Sequence, residues 1–210
     1  DPVVRNTYEQ KTPDSAYHPS GIKVFTWEDS SGGCRYAVYD AITGQSIVQD
    51  EAISATGAMP KPIAIGAYVV IAYLEPSSNS LFYRAISAIT PSAIGSAVLI
   101  TNAVSTSFQV YDACKLGTDL CFTWNDNASN ISMVLLSATL VLGSPTSVAS
   151  GVGQVVTCFA DATLSEIWVG YWDGTNVRYF VRDSTLASVL VPTTIEAVSL
   201  IRNICGSADN

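Results

Sequence analysis

Residues 25–40 read FTWEDSSGGCRYAVYD, and the chain spells parts of this stretch again. The opening returns as FTWNDN from Phe122, and the second half returns as VRYFVRD from Val177 to Asp183. Within the stretch an apolar run ends at Trp27, a run of Asp, Ser and Gly follows, and a second apolar run ends at Asp40. That is a hairpin signal. Branched and aromatic side chains suit a pleated, half-buried surface, and Asp, Ser and Gly accept the dihedrals of a tight reversal.

Four such runs end on an aromatic anchor: Trp27, Tyr73, Trp124 and Tyr171, spaced by 46, 51 and 47 residues. Repeats of about 40–50 residues belong to propellers, solenoids or arrays. After each anchor comes a polar turn, and then a second strand: CRYAVYD (34–40), LFYRAIS (81–87), ISMVLLS (131–137) and VRYFVRD (177–183). Each second strand ends on Asp40, Ser87, Ser137 or Asp183, side chains that can bond the backbone two residues on and open a turn. Third strands follow at 46–53, 96–103, 144–150 and 188–195, and fourth strands at 61–66, 108–117, 154–160 and 198–206. Helical periodicity is missing almost everywhere.

The expectation is an all-β fold: a β-propeller, or an arc of one, with four four-stranded antiparallel blades and an N-terminal half blade. A single sheet cannot hide two apolar faces, so each blade needs neighbours. The blades are expected at 22–66, 67–117, 118–166 and 167–210. Residues 1–21 are read as the outer half of a preceding blade, and 1–210 as one propeller-type domain of a longer chain. A β-sandwich is the competing architecture.

Composition narrows the function. Hydrophobic residues make up 48% of the 210 and charged residues 13%, so a sizeable core is available. The net charge is −8 and there is no basic run, which argues against counterion-driven nucleic-acid binding. The longest apolar run, Pro62 to Leu74, is too short to span a bilayer, and a soluble protein is expected. With one histidine, five cysteines and no CxxC pair, no zinc site is expected. The stretch NDNASN lacks the Gly and Glu of an EF-hand loop; no metal or cofactor is expected. Cys114, Cys158 and Cys205 fall at matching points of successive fourth strands. They are read as buried small hydrophobes, too far apart to bridge.

Candidate chemistry is sparse. Propeller enzymes usually place acids on their innermost strands. Those are read here as the anchor strands, whose bodies carry no carboxylate. Asp119 and Glu166, each five residues before its anchor, are the pair that could serve glycoside hydrolysis. His18 reads as a loop histidine rather than a general base. The anchors, with Trp168, read as core rather than as a sugar-stacking platform. Trp172, outside the anchor position and followed by the turn residue Asp173, is the aromatic expected to be exposed. Trp172 and Asp173 are the candidate ligand-binding residues. The Asn127 and Asn130 triplets match the N-glycosylation pattern.

The F-T-W-[EN]-D hairpin, the R-Y-x-V-x-D strand and the D-A-x-T-G turn of Asp40–Gly44 resemble propeller repeats in tail-tube nozzle and tail-hub proteins of short-tailed bacteriophages. The resemblance covers nearly the whole chain as a blade pattern. It implies a non-catalytic structural protein of the virion, or an extracellular one. Its partners would be protein subunits in a homo-oligomeric assembly and a host-surface glycan. A lectin-like propeller, and a glycan-cleaving propeller using Asp119 and Glu166, are the alternatives.

Overall fold

The computed structural model describes residues 10–30, 32–105, 110–150 and 155–197. They form four four-stranded antiparallel sheets and, among the described residues, no α-helix. Sheet one is β1 (Gln10–His18), β2 (Ile22–Asp29), β3 (Cys34–Asp40) and β4 (Ser46–Ser54). Sheet two is β5 (Ala58–Ile65), β6 (Tyr68–Glu75), β7 (Ser80–Ser87) and β8 (Val98–Thr101). Sheet three is β9 (Tyr111–Leu116), β10 (Asp119–Asn125), β11 (Asn130–Leu136) and β12 (Thr146–Ser150). Sheet four is β13 (Val155–Asp161), β14 (Glu166–Trp172), β15 (Asn176–Asp183) and β16 (Ser188–Ala197). In every sheet the strands lie side by side in chain order. The chain divides into two compact units, Asp1–Asn102 and Ala103–Asn210.

The repeat is real in space. Trp27, Tyr73, Trp124 and Tyr171 are each the sixth residue of the second strand of their sheet, and all four are buried. The turn chemistry also holds. Asp40 Oδ1 accepts the N–H groups of Ile42 and Thr43 at 2.9 and 2.7 Å. Asp183 Oδ1 accepts those of Thr185 and Ala187 at 2.8 and 3.0 Å. Ser87 and Ser137 do the same with their hydroxyls, towards Ile89, Thr90 and Val141.

The phase of the repeat differs from the expected one by a strand. Segments read as the fourth strand of one blade are the first strand of the next sheet. Ile65 pairs Tyr68, and Leu116 pairs Asp119, across two-residue turns. Gly66 and Gly117 supply the left-handed residue there, with φ of 52° and 58°. These hairpins tie each segment forward, not back. Likewise β1 is hydrogen-bonded to β2, so residues 10–18 open sheet one and are not part of an earlier blade. Residues 1–9 and the expected strand at 198–206 lie outside the described residues.

Each unit buries one interface between two sheets. In the first, Ile22, Val24, Tyr36 and Val38 of sheet one pack with Val69, Ile71, Tyr73 and Ile86 of sheet two. In the second, Cys121, Ile131 and Met133 of sheet three pack with Ile167, Val169, Tyr171 and Phe180 of sheet four. Each fully buried aliphatic side chain contributes about 1.5–3 kcal/mol, so these interfaces dominate the stability of each unit.

Polar clamps close the edge where the first strands of two sheets converge. In the first unit the Ser20 N–H donates to His18 Nδ1 at 3.0 Å. That makes Nε2 the protonated nitrogen, and it donates to the Gly66 carbonyl at 2.8 Å. His18 is therefore a buried staple between two turns. Thr26 Oγ1 donates to the Pro60 carbonyl at 3.3 Å. In the second unit Asp112 takes this part. Its Oδ1 accepts Ala113 N–H at 2.8 Å, and its Oδ2 accepts Thr157 Oγ1 and Cys158 N–H at 3.0 and 2.8 Å. At the opposite edge an arginine of the third strand reaches back to the preceding sheet in both units. Arg84 donates to Ile53 O at 2.7 Å, and Arg182 donates to Val148 O.

Asp112→Ala strands two buried donors, Cys158 N–H and Thr157 Oγ1–H. The expected loss is about 2–4 kcal/mol in urea unfolding. Asp161→Ala, which only returns the turn amides of Thr163 and Leu164 to water, is expected to cost under about 1 kcal/mol. Equal losses for the two variants would contradict the clamp.

Candidate functional site

The residues singled out in the sequence do not converge. Side chains alternate along a strand. Asp119 shares its face of β10 with Cys121, which lies in the core between sheets three and four. Glu166 shares its face of β14 with Trp168, while Ile167, Val169 and Tyr171 enter that core. The two carboxylates thus face different spaces, with sheet four between them. The expected exposure of Trp172 is also corrected: it is 7% exposed and closes β14 as a buried residue. Asp173 accepts the N–H groups of Thr175 and Asn176 at 2.9 and 2.7 Å and pairs with Arg178, so it is occupied by its own turn.

Trp168 is half-buried within a ladder. Its ring stacks on Phe159 with centroids 6.1 Å apart and on Tyr179 at 5.7 Å, with interplanar angles of 12° and 2°. These rings spend their faces largely on one another.

A different set of residues comes together at the convergent edge of the first unit. Asp14 pairs Thr26, Lys61 pairs Ala72, Asp112 pairs Thr123 and Thr157 pairs Gly170. The second member of each pair is the residue just before an anchor, so Asp14, Lys61, Asp112 and Thr157 hold one equivalent position in the four first strands. Asp14 even repeats the local geometry of Asp112, with Oδ1 accepting Ser15 N–H at 2.7 Å.

The surroundings of the two aspartates then diverge. Asp112 is buried because Cys158 offers it a backbone N–H. At the matching place in β5 stands Pro62, which has no N–H to give. Lys61 stands where Thr157 stands in the second unit, and Asp14 is exposed. Both first strands of this unit also bulge at that level. The register shifts between Lys11 and Asp14 and between Ala58 and Lys61, with Thr12 and Met59 at φ of 45° and 54°. No such shift interrupts β9 or β13 against its partner. Bulges and left-handed non-glycine residues are costly and re-aim side chains beside functional sites.

Glu28 completes the group. It lies two residues beyond Thr26 on the same face of β2, diagonal to Asp14. Its Oε2 accepts the Met59 N–H at 3.2 Å, which fixes the carboxylate against β5. The site is therefore an exposed carboxylate, a half-buried carboxylate and a lysine around one bulged edge. The sequence reading missed it because residues 1–21 were assigned to another blade.

A second concavity lies at the outer edge of the same unit. It is an open groove of about 450 Å³ lined by Tyr36, Val48, Gln49, Glu51, Ser92 and Ile94 among others. Burial, and then the nearby Glu51 charge, push the Tyr36 hydroxyl above its ordinary pKa.

No protein-family model matches the chain, and no curated protein sequence matches it. Solved structures do share the fold. The catalytic domain of a GH62 α-L-arabinofuranosidase from Coprinopsis cinerea is 11% identical with a TM-score of 0.55, over 89% of this chain and 70% of its own. A PL25 ulvan lyase bound to -[GlcA(1-4)Rha3S]- is 13% identical with a TM-score of 0.58, over 90% and 60%. TolB from Acinetobacter baumannii is 15% identical with a TM-score of 0.56, over 94% and 46%. The chain thus spans 46–70% of the length of these three structures. At such identity the likeness shows the fold alone: an all-β arc of four-stranded propeller blades. The expectation of a non-catalytic virion protein is corrected by the same finding. The neighbours are two glycan-cleaving enzymes and TolB, with no phage tail protein among them.

The turn at Asp173 gives a pH signature. Burial tends to raise this carboxyl, but the N–H groups of Asn176 and Thr175, the Asn176 amide and Arg178 outweigh it and hold it below the usual aspartate value. A carboxyl depressed in the folded state stabilises above its unfolded pKa of about 3.9. That contribution is lost as pH falls through the lower folded value. Asp173→Asn is expected to reduce the fall in thermal midpoint between about pH 5 and pH 2. An unchanged acid limb would show that the turn carries no such linkage.

Proposed function

We propose that this chain is a carbohydrate-active propeller that cleaves glycosidic bonds at the convergent edge of its first unit, with Asp14 and Glu28 as the carboxylate pair. The observation that carries the reading is the exposed Asp14 beside Glu28 on one bulged sheet face, in a fold shared with glycan-cleaving enzymes. The pair is read as an inverting one, with room for a water on the far side of the sugar. Asp14, open to solvent, deprotonates that water. Glu28, with Oε2 held by the Met59 N–H, is assigned the part of the acid that protonates the leaving oxygen. Lys61, on the facing strand, is placed to bind a sugar hydroxyl or carboxylate and to offset the charge of two acids.

The test is a panel of polysaccharides and aryl glycosides, read by reducing-end release and by the anomer first formed. Asp14→Asn and Glu28→Gln are each expected to lower kcat by about 10²–10⁴-fold while the thermal midpoint stays within about 2 °C. The first-formed product should carry inverted configuration. Full activity in both variants, or cleavage of no glycan by the wild-type chain, would contradict the assignment. An unsaturated product would move the reading to β-elimination.

A further inference from the structure

The second unit holds a cluster of thiols that the proposed chemistry does not use. Cys114 and Cys121 face each other across β9 and β10 in direct register. Cys158 comes from β13 of the neighbouring sheet, held there by the bond from its own N–H to Asp112. The Cys114 thiol is in side-chain hydrogen-bond contact with both Cys121 and Cys158. All three sulfurs belong to the core between sheets three and four. This overturns the expectation that Cys114 and Cys158 stand too far apart to meet. That expectation treated them as equivalent points on outer strands, whereas β9 and β13 are first strands brought together at the convergent edge. Cys205 lies outside the described residues.

We propose that Cys114 and Cys158 form a disulfide that staples sheet three to sheet four when the protein meets a low-molecular-weight disulfide. Cys114 is the shared member of the cluster, so it can bond one partner only. The register decides against Cys121. Asn125 N–H bonds Val110 O at the end of the ladder, and alternation makes Cys121 and Cys114 a hydrogen-bonded pair. In such pairs the side chains stand farther apart than in the non-hydrogen-bonded kind, while a disulfide needs Cβ atoms about 3.5–4.5 Å apart. Cys158 approaches from the opposing sheet and carries no such constraint.

The chemistry balances as two exchanges. Cys114, the most exposed of the three, attacks one sulfur of RSSR as thiolate. It forms a mixed disulfide and releases RS⁻. The Cys158 thiolate then attacks the Cys114 sulfur and expels the second RS⁻, which takes up a proton. Two protein thiols are oxidised, and one external disulfide is reduced to two RSH. The hydrogen bond with Cys121, and then burial, push the Cys114 thiol up, so exchange is expected to be slow in the folded protein and faster on refolding.

The experiment refolds the whole chain with oxidised and reduced glutathione, traps thiols with an alkylating agent and maps the peptides. Trypsin separates Cys114 from Cys121 at Lys115. Chymotrypsin then separates Cys121 from Cys158 at Phe122 and Trp124. The expected result is a loss of two titratable thiols, a Cys114–Cys158 peptide pair, and a thermal midpoint that falls when reductant is added. Cys121→Ser should still form the bridge. Cys158→Ser should not, and because the wild-type map stands alone, its failure to fold would not remove the test. Retention of all thiols, or a Cys114–Cys121 link in the wild-type map, would overturn the proposal.

Discussion

A four-stranded sheet with two apolar faces needs a neighbour on each side, and this constraint organises the chain. The second strand of every sheet is flanked on both sides by hydrogen-bonded partners. Those strands carry the anchors Trp27, Tyr73, Trp124 and Tyr171 and the densest burial, as in YVVIAYLE of β6. The periodic aromatic is therefore a consequence of position. It is a buried residue at one fixed place in the second strand, and its 46–51-residue spacing is the length of four short strands with their turns.

The same constraint separates scaffold from site. Where Asp112 meets Thr157 and Cys158, both carboxylate oxygens accept hydrogen bonds and the edge is closed. In the first unit the positions matching Thr157 and Cys158 hold Lys61 and Pro62, so that backbone donor is gone, and bulges interrupt both first strands. One register position thus yields a buried structural clamp in one unit and an exposed polar group in the other. The difference comes from a proline in place of a residue with an N–H, not from a new element.

Much of the fold was legible in the sequence because it rests on local rules. Anchor spacing, strand existence and the Asp and Ser turns at 40, 87, 137 and 183 depend on burial periodicity and on side-chain-to-backbone bonds a few residues long. Strand-to-sheet assignment was not legible in the same way. A fourth strand and a next first strand look alike in composition, and only the two-residue turns at Gly66 and Gly117 distinguish them. That single slip moved the first strands to the wrong edge and hid Asp14. It also led to Asp119 and Glu166, whose like spacing from their anchors places them on like faces of successive sheets and so not opposite each other. The thiol cluster was hidden for the same reason.

The measurement that bears most directly on the account is a crystal structure of the chain soaked with an oligosaccharide drawn from the polysaccharide panel. The account predicts a glycosidic oxygen lying between the carboxylates of Asp14 and Glu28, with a sugar oxygen on Lys61. Saccharide bound along the Trp168 ladder or in the Tyr36–Glu51 groove, with none at Asp14, would contradict it.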